Sequence, residues 1–236
     1  MQLFVADITI NRREKMKEKL IKEICDDKLV VIIRGVQDSK LEPLFEAMYE
    51  GGVRFAEITF DAKGKVTPKQ TAEQISRMRE RFEGKIHVGA GTVIREEQAR
   101  EAVAAGAEFL ISPNTNLAII DYAVRENIVS MPGAMTPTEA VTAYDRGADF
   151  VKIFPSDSLG VGYIKALCAP LSHIPFMAVG GVNHLNVADF LKAGVCGVGV
   201  GSNIVNKEML KNESWSEITE LASKYRTAID AYVKKV

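Results

Sequence analysis

The run Phe150-Val151-Lys152-Ile153-Phe154-Pro155 sets a single lysine between apolar residues. Side chains on a strand alternate faces, so Phe150, Lys152 and Phe154 share one side and Val151 and Ile153 the other. The aliphatic pair suits the layer between a sheet and its covering helices, which turns Lys152 toward the inside of whatever the sheet encloses. A solvated lysine titrates near ~10.4 and is protonated at neutral pH. Desolvation lowers that value and frees an amine able to attack a carbonyl and form a Schiff base. For a strand-end lysine taken alone, the alternative is a packed stem with its ammonium in water. The other strands decide between the two.

Seven further apolar or β-branched runs flank this one: Leu29 to Arg34, Phe55 to Phe60, His87 to Thr92, Phe109 to Pro113, Ile128 to Pro132, Phe176 to Gly180 and Gly197 to Gly201. Helical patterns fill the gaps at Leu41 to Glu50, Thr67 to Phe82, Glu96 to Ala105, Leu117 to Glu126, Pro137 to Arg146, Gly162 to Cys168 and Asn183 to Lys192. A last helical stretch runs from about Trp215 to Lys234. Turns at Gly51-Gly52, Gly106, Gly147 and Gly194 each end a helix just before the next strand, where glycine supplies a left-handed cap. Eight strands alternating with eight helices predict an α/β fold, a (β/α)8 TIM barrel, with an additional N-terminal helix over about Asn11 to Asp27. A doubly wound open sheet is the competing architecture, but no Gly-x-Gly-x-x-Gly follows the first strand to support a dinucleotide fold. No linker or composition shift divides the chain. The expectation is one barrel domain over residues 1–236, with 1–28 as a helical extension.

The chain has 236 residues, a net charge of −1 and 47% apolar content, which gives no electrostatic pull toward nucleic acid or anionic membrane. No apolar run reaches the length of a membrane span. Met1 to Leu20 lacks a basic lead-in and Asp7 breaks its short apolar stretch, so no signal-peptide core is expected. Cys25, Cys168 and Cys196 are scattered and odd in number, which fits a reducing cytoplasm rather than a disulfide framework. His87, His173 and His184 lie far apart and there is no Cys-x-x-Cys, so no metal site is expected.

In the second strand Phe55, Glu57 and Thr59 share a face opposite Ala56, Ile58 and Phe60, and the polar face must be the interior. In the first, Ile32 and Arg34 pair off against Val31 and Ile33. The third ends in Gly89-Ala90-Gly91-Thr92, placing a hydroxyl at its tip. Arg34, Glu57, Thr92 and Lys152 thus come from four strands, and in this fold the C-terminal strand ends build the active site. Buried charges cost several kcal/mol, so a lysine, a carboxylate and an arginine converging in one lumen point to use. Strand seven ends in Val179-Gly180-Gly181-Val182 and strand eight in Gly199-Val200-Gly201-Ser202-Asn203. Loops after these two strands are the habitual phosphate site of the barrel, and glycines let backbone N–H groups approach an anion. Lys207 and Lys211 read as solvated charges.

These residues resemble the 2-keto-3-deoxy-6-phosphogluconate aldolase family, which includes 4-hydroxy-2-oxoglutarate aldolase activity. The marks, over about Leu29 to Leu210, are Gly51-Gly52-Val53, Glu57-Ile58-Thr59, Gly89-Ala90-Gly91-Thr92-Val93, Ile111-Ser112-Pro113, Met131-Pro132-Gly133, Val151-Lys152-Ile153-Phe154-Pro155, Gly180-Gly181 and Gly201-Ser202. The resemblance implies a class I aldolase, a lyase of carbohydrate metabolism. Such an enzyme cleaves a 2-keto-3-deoxy sugar acid, as its 6-phosphate, to pyruvate and an aldehyde such as glyceraldehyde 3-phosphate. It further implies a homotrimer, a small keto-acid substrate and no cofactor or metal.

Under that resemblance Lys152 matches the Schiff-base lysine and Glu57 the general acid/base. Thr92 matches a residue binding the pyruvate carboxylate, and Phe154 packs near the pyruvate. Gly180, Gly181 and Ser202 match the phosphate site, and Pro113 and Gly201 lie in matched stretches of the substrate-binding set. Two positions depart from the better-known phosphogluconate pattern. Asp61 stands where an arginine follows the glutamate by four residues, and Val179 stands where a threonine precedes the paired glycines. Asp61 would repel an anion, and Arg34 is expected to supply the missing cation. Arg34 and Val179 are features of the 6-phosphogalactonate-type relatives. Two other readings compete: a phosphate-binding barrel isomerase or epimerase in which Lys152 is only a cation, and a noncatalytic sugar-phosphate binding protein.

Overall fold

Apolar runs that alternate with amphipathic ones must bury one face of every helix and both faces of every strand, and a closed parallel barrel does this. The computed structural model describes residues 2–235, with side chains from Glu14 onward. Met1, at the head of the stretch read as lacking a leader core, lies outside the described residues, as do the side chains of residues 2–13 and Val236. The strands are β1 (Leu29–Ile33), β2 (Phe55–Thr59), β3 (His87–Gly91), β4 (Phe109–Ile111), β5 (Val129–Met131), β6 (Gly133–Ala134), β7 (Val151–Ile153), β8 (Phe176–Val179) and β9 (Gly197–Val200). All are parallel, in the order β5-β4-β3-β2-β1-β9-β8-β7-β6.

Segments β5 and β6 are one barrel strand interrupted at Pro132, which has no N–H to give to a ladder. On one side Ser112 N donates to Met131 O at 3.2 Å. On the other, Phe150 N donates to Ser130 O at 3.1 Å and Lys152 N to Pro132 O at 2.9 Å, which closes the barrel. The nine segments are therefore the eight expected strands.

The helices are α1 (Gln2–Asp27), α2 (Asp38–Glu50), α3 (Pro68–Arg81), α4 (Glu96–Ala104), α5 (Leu117–Glu126), α6 (Pro137–Asp145), α7 (Ser156–Cys168), α8 (Val187–Lys192), α9 (Lys207–Asn212) and α10 (Trp215–Val233). Local chemistry explains several boundaries. Thr67 with Gln70, and Thr136 with Glu139, form capping boxes that start α3 and α6. Helix α8 starts at Val187 rather than at Asn183, because Asn183 Oδ1 accepts the N–H groups of Leu185 and Asn186 and holds a turn instead. Helix α7 starts at Ser156, earlier than the expected Gly162, and is broken at Gly160, where φ is 78° and ψ 158°. The short α9 was not expected from the sequence; Asn206 caps it by accepting from Glu208 N and Met209 N. Helix α1 begins at Gln2, well before the amphipathic segment near Asn11. No helix among the described residues is long and apolar enough to cross a membrane.

The apolar residues separate into two bodies. Val31, Ile33, Ala56, Ile58, Val151 and Ile153 face the helices in the larger one, as the alternation requires. The smaller fills the lower lumen: Val30, Phe55, Phe109, Val129, Phe150 and Met177. Leu20 and Ile24 of α1 belong to this inner body, so the N-terminal helix closes the barrel from below. Lys17 Nζ lies 2.9 Å from Asp149 Oδ1, and Arg226 Nη1 of α10 donates to Asp27 O at 2.9 Å, which fix both ends of the contact.

Ile24 is 1% exposed. Ile24→Ala is expected to remove about 2–5 kcal/mol of stability, the usual range for a buried isoleucine truncation, read as a lower urea midpoint. A midpoint equal to that of the parent chain would show that α1 rests on the barrel without closing it.

Candidate active site

Above the aromatic floor the inward face of the barrel changes character. Val30, Ile32, Glu57, Ile111, Met131, Lys152, Met177, Val179 and Gly199 line one narrow space. Lys152 reaches it from β7 and Glu57 from β2, on nearly opposite sides of the closed sheet. Both are buried, at 6% and 1% exposure. Burial first, and then the nearby Arg34 charge, lower the Lys152 pKa, while Glu57 raises it. Burial raises the pKa of Glu57, while Lys152 and Arg34 draw it back down. Desolvation thus pushes each group toward its neutral form, a free amine and a carboxylic acid. Oε2 of Glu57 is buried with no hydrogen-bond partner, a costly condition for a polar atom unless another molecule completes it.

The mouth of the lumen carries the remaining strand-end groups. Arg34 follows β1 and is exposed; its Nη2 donates to Thr92 Oγ1 at 3.3 Å across the mouth, above β2. Arg34 therefore rims the lumen, where the sequence placed it among the inward-facing residues. Thr92 follows β3 with φ 55°, an uncommon conformation for a β-branched residue. The Phe154 ring stands just past β7 with its centroid 5.0 Å from Lys152 Nζ, and it is 39% exposed. Pro113 follows β4 and packs its carbonyl against Gly133 of β6.

Gly180 and Gly181 both have positive φ, 100° and 69°, so the turn after β8 takes a path that side chains resist. Polar groups not singled out as site residues brace this turn. Asn203 Nδ2 donates to Val182 O at 2.7 Å, Tyr225 OH to the same oxygen at 3.1 Å, and Asn186 Nδ2 to Gly181 O at 3.1 Å. These bonds tie the paired glycines to the end of β9, where Gly201 and the exposed Ser202 follow. Ser156 is also buried between strands: its Oγ donates to Ile153 O at 2.7 Å and accepts from Val179 N at 3.0 Å. Asn203 directly follows Gly201-Ser202 and so was visible in the sequence. Tyr225 and Asn186 carried no sequence signal, since their role depends on packing between distant segments.

The carboxylate of Asp61 is turned inward to its own loop, accepting from Lys63 N at 2.9 Å, Lys65 N at 2.8 Å and Val66 N at 3.2 Å. These bonds, Lys63 first, hold its pKa below the usual carboxylate range. Asp61 thus stays an ionised carboxylate engaged by the N–H groups of its own loop. Among the described residues no cluster of three or more His, Cys, Asp or Glu side chains forms a metal-binding group.

The chain is similar to characterised proteins over most of its length. The family model for KDPG and KHG aldolase matches residues 20–221. The 2-dehydro-3-deoxy-6-phosphogalactonate aldolase of Escherichia coli K12 is 32% identical, over 85% of this chain and 96% of its own length. The 2-dehydro-3-deoxy-phosphogluconate aldolase of Treponema pallidum is also 32% identical, over 82% of this chain and 88% of its own. A KDPG aldolase structure from Legionella pneumophila, with pyruvate captured as a covalent carbinolamine, superposes with a TM-score of 0.75. It is 30% identical and covers 84% of this chain and 93% of its own. An amine and a carboxyl facing each other in a barrel lumen thus belong to a chain that matches this family over most of its length; it is a member of the KDPG and KHG aldolase family, a class I aldolase and a carbon–carbon lyase.

Proposed function

We propose that the enzyme cleaves a 2-keto-3-deoxy sugar acid, carried as its 6-phosphate, to pyruvate and an aldehyde such as glyceraldehyde 3-phosphate. The observation that carries this reading is the Lys152 amine, buried and kept toward its free form, sharing one lumen with the buried Glu57 carboxyl. The amine of Lys152 attacks the C2 carbonyl, and the carbinolamine hydroxyl takes up one solvent proton and leaves as water, giving a cationic iminium whose charge favours the Glu57 carboxylate. The C4 hydroxyl proton passes to the Glu57 carboxylate, directly or through one water. The C3–C4 bond breaks, its electron pair moves toward the iminium nitrogen to form an enamine, and the aldehyde departs. Glu57 then returns the proton to C3, and water releases pyruvate from Lys152.

Arg34 and Thr92 hold the substrate carboxylate at the mouth, and the exposed face of Phe154 covers the pyruvate carbons. Pro113, against Gly133, walls the same side. The phosphate sits on the Gly180-Gly181 turn with Gly201 and Ser202. Support for that placement comes from the positive φ of both glycines, the braces on Val182 and the position of these loops after the last two barrel strands. The two curated relatives bear names for opposite C4 configurations, and Val179, which lines the lumen just before the paired glycines, is the residue that favours the galactonate-type substrate. The homotrimer implied by the family resemblance and a cytoplasmic site complete the reading; the three free thiols Cys25, Cys168 and Cys196 support a reducing compartment.

Borohydride reduction in the presence of pyruvate is expected to attach a three-carbon adduct to Lys152, located by peptide mass mapping. An unmodified Lys152 at saturating pyruvate would sink covalent catalysis. Arg34→Ala is expected to raise the KM for the keto acid by about 10-fold or more, the worth of one charge-assisted contact. An unchanged KM would remove Arg34 from carboxylate binding.

The pH dependence of the trapping rate separates the charges. Arg34 lowers the Lys152 pKa and Glu57 raises it. Removing Arg34 therefore raises that pKa, so the acid limb of the profile is expected to move to higher pH in Arg34→Ala. The same limb is expected to move to lower pH in Glu57→Gln. Two unmoved limbs would show that neither group acts on the amine.

A further inference from the structure

Gly91 ends β3 beside Glu57. Its φ is not in the left-handed region, so the backbone there does not require glycine. A glycine inside a strand weakens it and often marks a close approach by another group. Here the approaching group is the Glu57 carboxyl. A Cβ on Gly91 would lie 2.3 Å from Oε2, 2.4 Å from Cδ and 2.8 Å from Oε1 of Glu57. All three distances fall well inside van der Waals contact. Register adds direction. Glu57 pairs with Gly89 and Thr59 with Gly91, so the glutamate side chain leans two residues toward the C-terminal mouth. The missing side chain thus forms the recess in which the carboxyl lies.

Gly89 provides the internal contrast. A Cβ there would meet the Phe109 ring at 2.2 Å, so that glycine makes room for the aromatic floor and not for a reacting group. Of the two glycines on one face of β3, the lower serves packing and the upper serves the site.

We propose that Gly91 is the positioning residue for the Glu57 carboxyl, its bare backbone setting where the acid–base group stands relative to the Lys152 adduct. This rests on the acid–base reading of Glu57 given above. A methyl group at Gly91 would drive the carboxyl out of the recess by roughly an ångström, and displacement on that scale costs reactions of this kind about 100-fold.

The test uses Gly91→Ala, Glu57→Asp, their combination and Glu57→Gln in the full-length enzyme. Retro-aldol kcat, deuterium exchange at C3 of pyruvate, KM and borohydride trapping are measured for each. Gly91→Ala is expected to lower kcat and C3 exchange about 100-fold, with KM and trapping changed no more than about threefold. Aspartate is one methylene shorter and withdraws from the recess. In the Glu57→Asp background, adding Gly91→Ala is therefore expected to cost less than about threefold, a large departure from additivity. An equal cost in both backgrounds would overturn the proposal while leaving Glu57 as acid–base group. Full exchange activity in Glu57→Gln would instead overturn the acid–base reading itself. Should Gly91→Ala fail to fold, a folded double variant supports the proposal, because the clash is then with the carboxyl. A double variant that also fails to fold overturns it.

Discussion

Lys152 and Glu57 attract each other across the barrel lumen, while burial drives each toward its neutral form. The two tendencies oppose. Water in the lumen would screen the attraction and restore both groups to their ordinary ionised states; a dry lumen makes ionisation expensive. A class I aldolase needs the dry condition, because only an unprotonated amine attacks a carbonyl. It also needs a carboxyl that gives and takes protons near neutral pH, and a raised pKa brings Glu57 toward that range. The proposed reacting groups are therefore defined by what surrounds them as much as by their identity.

Dryness from below is a matter of packing. Phe55, Phe109 and Phe150 fill the lumen under the reacting pair, and Leu20 and Ile24 of α1 complete the plug. Each buried side chain of this size contributes about 1.5–3 kcal/mol, so the plug also helps offset the cost of the polar layer above it. The sequence of layers along the barrel axis is then helix, aromatic floor, reacting groups, and charged rim at Arg34 and Thr92. Every layer except the last is buried, and the rim is the exposed end of the lumen.

Much of this was legible because strand alternation is a strict rule. Once Ile58 and Phe60 were assigned to the helices, Glu57 had to face inward, and Val151 with Ile153 fixed Lys152 in the same way. Features governed by contacts between distant segments were not legible. Nothing in Leu20 or Ile24 tells a helix that plugs a barrel from one that lies on its surface. Pro132 marks the end of a run in the sequence but the middle of a strand in the structure, because its carbonyl still accepts from Lys152 N. The sequence shows the Asp61 carboxylate without showing the three N–H groups of its own loop that engage it. Gly91 read as one glycine in a motif, and only the carboxyl lying against it gives it a particular task.

The proposed place of Arg34 follows from the same geometry. The family resemblance puts a carboxylate-binding arginine after β2, and this chain has Asp61 there. Strands β1 and β2 are adjacent, with Ile32 beside Glu57 and Ile33 beside Ile58. Register puts Arg34 level with Thr59, so moving the cation from position 61 to position 34 displaces its backbone by one strand spacing, about 4.8 Å, and by two residues along the strand, about 6.6 Å. Two arginine side chains so placed can lean toward one point between them, which lets the guanidinium serve the mouth from either strand. The bond from Arg34 to Thr92 shows this reach directly, since it passes from the end of β1 over β2 to the end of β3. With the charge supplied from β1, the loop after β2 is released from binding, and Asp61 is free to organise residues 61–66 through their backbone. Under the proposed role of Arg34, a residue that looks hostile to an anion reads as a transfer of one role to the neighbouring strand.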